Sequence, residues 1–207
     1  MLTHAHCPIQ MNYRFPVYEP LLGSLEEEYA LDAIRSTWIS SRGKYVNQFE
    51  EKLASYIEKE SSPRGKAIAV ANGTLALHLA MLALGIKSGE EVIVPSFTYI
   101  ATSNCVEYVG ATPVFADCNI DDWSISVESV KKLITNKTKA VIAVHLYGVP
   151  ADLILLRKLC EDHNVFLVED CAESLGGKIN NVHCGIMGHI STYSFFGNKT
   201  ITTGEGG

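Results

Sequence analysis

The chain has 207 residues, enough for one large domain, or slightly more, with a full hydrophobic core. Hydrophobic residues make up 47% of the sequence and charged residues 19%, which excludes a generally disordered chain. The net charge is −6 and no basic stripe is visible, so the composition argues against a nucleic-acid partner.

The longest apolar stretch, residues 67–86, is interrupted by Asn72-Gly73-Thr74 and by His78. We therefore interpret it as a buried strand, a turn and a buried helix, and expect no membrane span. The first eight residues have neither a basic start nor an apolar run, so we expect no signal peptide. The six cysteines form no CxxC pair, which indicates reduced thiols in a cytoplasmic protein.

The N-terminal residues differ in character from the rest of the chain. We predict a flexible extension over residues 1–14 and one domain over residues 15–207. His4, His6 and Cys7 could bind a metal ion adventitiously, but a frayed terminus is the better interpretation. Met11 is an alternative start, and the sequence does not decide between it and Met1.

Two helices are predicted near the start of the domain. The first begins at Ser24, which can act as its N-cap, and Glu26 and Glu27 suit the positive end of the helix dipole. The second spans about residues 46–59, and a segment containing Pro63 and Gly65 ends it.

Short β-branched runs then alternate with helical patterns. Strands are predicted at residues 67–71, 91–94, 112–116, 140–144 and 165–168, with helices at residues 74–84, 100–109, 127–134 and 152–163. This spacing predicts an α/β fold with three layers, in which helices cover both faces of a mostly parallel sheet. Since many functions share such sheets, function has to come from the site.

Ligands bind parallel sheets at the carboxyl ends of the strands. After the first predicted strand, Gly73 and Thr74 open a helix whose unpaired N–H groups can hold a phosphate, although an ordinary helix cap has the same pattern. After the second, Tyr99 could cover the face of a flat heterocycle or belong to the core.

Two carboxylates come after the last predicted strand. Asp170 could meet a protonated ring nitrogen, or it could serve as a cap or an ion-pair partner. Glu173, three residues further, could face the same cleft. Lys199 lies in a small, hydroxyl-rich segment and could form a Schiff base with an aldehyde, although most lysines are solvated surface residues.

Together these features fit a ligand with a phosphate, an aromatic ring, a basic ring nitrogen and an aldehyde. Pyridoxal 5′-phosphate (PLP) has all four groups, and a lysine and an acidic residue are its usual protein partners.

The remaining polar residues suggest no metal site. Asp117, Asp121 and Asp122 are typical of a turn, and His78 is typical of a satisfied interior histidine. His145 ends a strand at the edge of the cleft and could touch a ligand. The roles of two further histidines stay open, His183 and His189.

Several strings of the chain resemble the DegT/DnrJ/EryC1/StrS sugar aminotransferases. The resemblance covers about residues 15–207. The segments that match the family are Ala71-Asn72-Gly73-Thr74, Val168-Glu169-Asp170-Cys171-Ala172-Glu173, Ser194-Phe195-Phe196-Gly197-Asn198-Lys199, Pro16-Val17-Tyr18-Glu19-Pro20, Ser40-Ser41-Arg42-Gly43 and His145-Leu146-Tyr147-Gly148.

The resemblance implies the large domain of a fold-type I, PLP-dependent transferase. Lys199 would hold the cofactor covalently and later shuttle protons, while Asp170 would pair with the pyridine nitrogen. Glu173 would lie near the ring hydroxyl and Tyr99 would stack on the ring. The phosphate would be held by Gly73, Thr74 and Ser194.

The implied reaction moves the amino group of glutamate to C4 of a nucleotide-linked 4-keto-6-deoxy sugar for a surface polysaccharide. Lys199 argues against the related 3-dehydratases, which carry histidine there. UDP- or dTDP-linked keto sugars, or a truncated non-catalytic remnant, are the alternatives. Since chains of this family continue further and act as homodimers, we expect this chain alone to be weakly active or inactive.

Overall fold

A computed structural model describes residues 18–58 and 65–207. The predicted N-terminal extension, including His4, His6 and Cys7, lies outside these residues. Among the helices of the described part, none is both long and apolar enough to cross a membrane. The five cysteines described are free thiols, namely Cys105, Cys118, Cys160, Cys171 and Cys184.

Five strands form one parallel sheet, as the alternation of strands and helices predicts. The strands are β1 (Glu91–Pro95), β2 (Thr112–Ala116), β3 (Thr138–Val144), β4 (Phe166–Asp170) and β7 (Ile190–Thr192). Their order across the sheet is β2-β1-β3-β4-β7.

Helices cover both faces of the sheet because its central strands are apolar on both sides. Against one face pack α3 (Gly73–Ala83) and α4 (Ala101–Tyr108), and against the other pack α5 (Val127–Leu133) and α6 (Leu153–His163). Neighbouring residues of β1 alternate between the two cores, with Val92 and Val94 in the first and Ile93 in the second. The α/β class and the three layers are confirmed.

Two more helices precede the sheet. α1 (Ser24–Arg35) buries none of its residues, and its N-cap is Gly23 rather than the predicted Ser24. The backbone N–H of Gly23 donates to the Glu26 carboxylate at 2.8 Å. α2 (Lys44–Glu58) packs through Phe49, Leu53 and Ile57 against a small core that includes Phe195.

The predicted strand at residues 67–71 is wrong, because this segment has no ladder of backbone pairs. Val70 exchanges two backbone hydrogen bonds with Gly207, and the N–H of Ala69 donates to the Glu50 carboxylate. Between the segment and β7 lies an apolar groove of about 560 Å³, walled by α2 and α3.

β4 extends two residues beyond the predicted strand and ends at Asp170. Val144, Asp170 and Thr192 are register partners on three adjacent strands, so their side chains share one face of the sheet. An unpredicted hairpin comes next, β5 (Lys178–Ile179) with β6 (Val182–His183). Its turn residues Asn180 and Asn181 both have positive φ, the conformation that asparagine tolerates in two-residue hairpins.

Candidate functional site

Asp170 lies at the carboxyl end of β4 with only 5% of its surface exposed. Its carboxylate accepts hydrogen bonds from the Thr102 hydroxyl and from the backbone N–H of Ala172, both at 3.1 Å. Burial raises the pKa of this carboxyl above its ordinary value, against smaller lowering effects from the two donors and, more weakly, from the charge of Lys199. Neither donor is charged, so a cationic N–H would fit this carboxylate well.

Two threonine hydroxyls lead to Asp170, and the sequence interpretation missed both: Thr102 lies in the first turn of α4, and Thr98 lies on the connection from β1 to α4. Thr102 is fully buried, and its hydroxyl lies 3.1 Å from that of Thr98. An ionised Asp170 can only accept, so Thr102 donates to Asp170 and Thr98 donates to Thr102. Their spacing of four residues at the start of a predicted helix was the available signal, but nothing in it identified the partner.

Lys199 forms an ion pair with Glu173, which comes three residues after Asp170 in the chain. The Nζ of Lys199 is 3.4 Å from Oε1 of Glu173, and both side chains are largely shielded from solvent. The other oxygen of Glu173 accepts the backbone N–H of Tyr147 at 2.7 Å. The structure thus brings two of the predicted site residues into contact, and the Tyr147 N–H fixes Glu173 in place.

The start of α3 forms a cradle against Ser194. The Asn72 side chain caps this helix by accepting the N–H of Leu75 at 3.0 Å. A Cβ at Gly73 would lie 2.9 Å from the Cβ of Ser194, so glycine is needed for this close approach. The first N–H groups of a helix have no partner inside it, and together with the hydroxyls of Thr74 and Ser194 they are donors suited to a phosphate.

Tyr99 precedes α4, and its carbonyl accepts the N–H of Thr102 at 3.1 Å. Its side chain is 73% exposed, so the alternative of a core aromatic is wrong. Tyr99 therefore lies at the same sheet edge as Asp170, with its ring facing solvent.

Behind this edge, His145 and Glu169 form a fully buried pair. His145 does not lie at the edge of the cleft, as its position after a strand suggested. Its Nδ1 accepts the N–H of Ala151, so its Nε2 carries the proton and donates to Glu169 at 3.1 Å. Glu169 also accepts the N–H groups of Gly185 and Gly188.

Within the described part of the chain, three further histidines have other neighbours. The His78 ring packs against Tyr108 at 5.5 Å, and His189 accepts the N–H of Leu167. His183 is buried beside Tyr56. Asp122 accepts hydrogen bonds from the backbone and hydroxyl of Ser124, which is the predicted turn.

The donors and acceptors of this edge fit PLP. The Gly73–Ser194 cradle suits its phosphate, buried Asp170 suits a protonated ring nitrogen, and the Lys199 amine suits its aldehyde. Since each of these groups is a separate observation, the fit does not rest on the lysine alone.

Comparison with known proteins adds independent evidence. The model of the DegT/DnrJ/EryC1/StrS aminotransferase family matches residues 20–207. The chain is 52% identical over 192 residues to a GDP-perosamine synthase of Escherichia coli O157:H7, covering 93% of this chain and 51% of the relative. It therefore spans about half the length of the curated relatives it matches.

Solved structures agree with the fold. The PLP form of a Streptococcus pneumoniae protein assigned as a sugar aminotransferase superimposes with a TM-score of 0.87 at 30% identity, covering 94% of this chain and 52% of that one. A GDP-4-keto-6-deoxymannose-3-dehydratase (ColD) with bound GDP-perosamine gives 0.85 at 29% identity, over 93% and 50% of the two chains. The fold is that of the large domain of PLP-dependent aminotransferases.

Proposed function

The chain belongs to the DegT/DnrJ/EryC1/StrS aminotransferase family, and we propose that it carries the PLP site of a sugar-nucleotide aminotransferase. The proposed reaction transfers the amino group of glutamate to C4 of a GDP-linked 4-keto-6-deoxy sugar. The observation that carries the proposal is the Lys199 amine paired with Glu173, together with the buried carboxylate of Asp170 at the end of β4.

PLP, when bound, supplies an aldehyde that condenses with amines and a ring that withdraws electrons from the adjacent carbon. Lys199 would provide the first amine and then move a proton to and from the substrate carbon through its Nζ. Asp170 would accept the ring N–H, and its ionised form would keep that nitrogen protonated.

The other residues would position the cofactor. The N–H groups of Gly73 and Thr74 and the hydroxyl of Ser194 would donate to the phosphate. Glu173 would lie near the ring hydroxyl while it orients Lys199, and the exposed ring of Tyr99 would cover one face of the pyridine.

The choice of sugar rests on the relatives. Proteins named GDP-perosamine synthase match this chain at 52% identity in Escherichia coli and Vibrio cholerae, which favours a GDP-linked substrate. A role in surface polysaccharide synthesis is part of the same proposal. We further propose that residues 15–207 form one cofactor-binding domain of a cytoplasmic homodimer.

Borohydride trapping tests the proposed covalent site. The chain is incubated with PLP, reduced, digested and analysed by mass spectrometry. We expect the adduct on the peptide that contains Lys199, its loss in Lys199→Ala, and its retention in Lys131→Ala, which removes an exposed lysine of α5. A non-catalytic remnant would give no specific adduct, and equal labelling of both variants would contradict the proposal.

Substrate choice needs a separate measurement. Because we expect this chain alone to be weakly active or inactive, a full-length relative is given glutamate with GDP-, UDP- and dTDP-linked 4-keto-6-deoxy sugars, and the aminated sugar is quantified. Preference for the GDP sugar supports the proposed substrate, whereas preference for a UDP or dTDP sugar would keep the chemistry and replace the nucleotide.

A further inference from the structure

Three exposed aromatic side chains form a contiguous patch beside Glu173. We call Phe97, Trp123 and Tyr147 the aromatic row. The Phe97 and Trp123 ring centroids are 5.7 Å apart, those of Trp123 and Tyr147 are 6.4 Å apart, and both pairs meet edge to face. Trp123 thus lies between the other two rings, and the exposed fractions of 48%, 53% and 68%, respectively, show that all three residues still face solvent.

The fold holds this row in place at some cost. Phe97, Trp123 and Tyr147 each come after one of three adjacent strands, β1, β2 and β3, at their carboxyl ends. Trp123 and Tyr147 both have left-handed backbones, with φ of 59° and 51°. This conformation is uncommon for bulky residues, and an exposed apolar patch is itself unfavourable in water.

The row is continuous with the proposed reaction centre. The N–H of Tyr147 donates to Oε2 of Glu173, and Oε1 of the same carboxylate is 3.4 Å from the Lys199 amine. From Tyr147 the row leads to Trp123 and then to Phe97. A ligand whose reacting atom lies at Lys199 can thus place a second part on the row.

We propose that the aromatic row is the stacking surface for the nucleobase of a nucleoside-diphosphate sugar. This inference rests on the proposed function, because the proposed substrate carries a reacting sugar carbon at one end and a flat base at the other. Stacking on aromatic side chains suits any base, since each has a π face.

The diphosphate is a poorer occupant of the row than the base. The rings carry no positive charge, and two carboxylates flank them, Glu173 next to Tyr147 and Asp122 next to Trp123 in the chain. These carboxylates would repel phosphate oxygens. A neutral aromatic ring meets no such penalty.

Tryptophan fluorescence tests the proposal directly, because the chain contains two tryptophans. In Trp38→Phe, Trp123 is the one remaining reporter. We expect GDP to quench its emission saturably, with no response to pyrophosphate or to mannose 1-phosphate. In Trp123→Phe, where Trp38 reports, GDP should cause no change.

Affinity gives a second measurement that does not depend on the reporter. Equilibrium dialysis with labelled GDP should show about tenfold weaker binding for Trp123→Ala and for Tyr147→Ala. The matched control is Tyr108→Ala, which removes an exposed aromatic ring at the opposite end of α4 and should bind GDP like the parent.

Three results would overturn the proposal: unchanged GDP affinity in both row variants, an equal response to pyrophosphate, or emission that changes with protein concentration and not with GDP. The last result would assign the row to contact with a second copy of the chain. When one of these results is found and Lys199 still forms the borohydride adduct, the stacking surface is wrong but the proposed function stands. If the adduct is absent, the proposed function fails.

Discussion

Glu169 and Asp170 are consecutive carboxylates on β4, and both are buried, yet they accept hydrogen bonds from different sets of donors. Their side chains point to opposite faces of the sheet. Glu169 accepts hydrogen bonds from the His145 ring and from two backbone N–H groups of the 185–188 loop. Asp170 accepts one hydroxyl and one backbone N–H, and burial still raises its pKa.

The difference distinguishes a carboxylate that serves the fold from one that suits a ligand. Glu169 has donors on both oxygens, and the 185–188 loop that supplies two of them depends on glycine. At Gly185, φ is +98° and a Cβ would overlap the Tyr193 hydroxyl, so only glycine fits. Asp170 is buried with fewer donors, one hydroxyl and one backbone N–H, which is the arrangement that a cationic partner would relieve.

Removing the structural carboxylate should have the largest effect. Glu169→Ala leaves the Nε2–H of His145 and two backbone N–H groups buried without their acceptor. We expect the free energy of unfolding to fall by about 3–5 kcal/mol. Urea denaturation followed by circular dichroism measures the loss.

The matched control is Glu161→Gln, which alters an exposed carboxylate paired with Arg157 on α6. It should change stability by less than about 1 kcal/mol. A Glu169→Ala chain as stable as this control would show that the buried pair is not a structural anchor.

Asp170→Asn should have the opposite effect on stability. Because burial raises the pKa of Asp170, the folded chain holds a proton that the unfolded chain releases near pH 3.8, and stability is lost as the pH rises from there through the folded pKa. The amide does not ionise. The cofactor-free variant should therefore be more stable than the parent at pH 7, with a smaller difference below pH 4.

The same substitution should weaken PLP binding at least tenfold, because a charged hydrogen bond of about 1.5–3 kcal/mol is lost. Absorbance titration with PLP measures this affinity. A variant that gains no stability at pH 7 would contradict the assignment of Asp170 as the uncompensated carboxylate. Unchanged PLP affinity would instead contradict its pairing with the ring nitrogen.

The sequence predicted the layered fold more reliably than the contacts within it. Apolar runs mark β1, β3 and β4 because these strands are buried on both faces. The run at residues 67–71 has the same composition, but a strand also needs a neighbour, and sequence periodicity does not report pairing. The register of β3 and β4, which brings Asp170 beside His145, is likewise a tertiary property.

Asp170, Glu173 and Lys199 could be chosen as candidates because their chemistry is unusual at the end of an apolar strand or in a small, polar segment. Thr102 could not, since threonine at the start of a helix has many ordinary roles. The structural role of Glu169 was not predicted, because two adjacent acids look alike in a sequence. They have different partners because successive side chains of a strand point to opposite faces of the sheet.

Thr102→Val should have a smaller effect than either carboxylate substitution. Valine keeps the shape and removes the hydroxyl that donates to Asp170, which costs about 1 kcal/mol of stability. Since this donor lowers the Asp170 pKa, its loss should raise that pKa further and shift the pH-dependent decline in stability to higher pH. Thr102→Ser should restore the parent profile, whereas an identical loss in both variants would point to packing alone.

Thr98→Val should have the smallest effect, and it tests the direction of the threonine chain. If Thr98 donates to Thr102, valine removes only the second donor, and Thr102 still donates to Asp170. The expected cost is roughly 0.5 kcal/mol, with a shift of the pH profile in the same direction as Thr102→Val but smaller. In Thr102→Val, the further change Thr98→Val should then leave the profile unmoved, because its acceptor is already gone. If the two substitutions instead shift the pH profile independently, Thr98 acts on the Asp170 pKa by another route. Comparing the pH profile of the double variant with those of the two single variants distinguishes these outcomes.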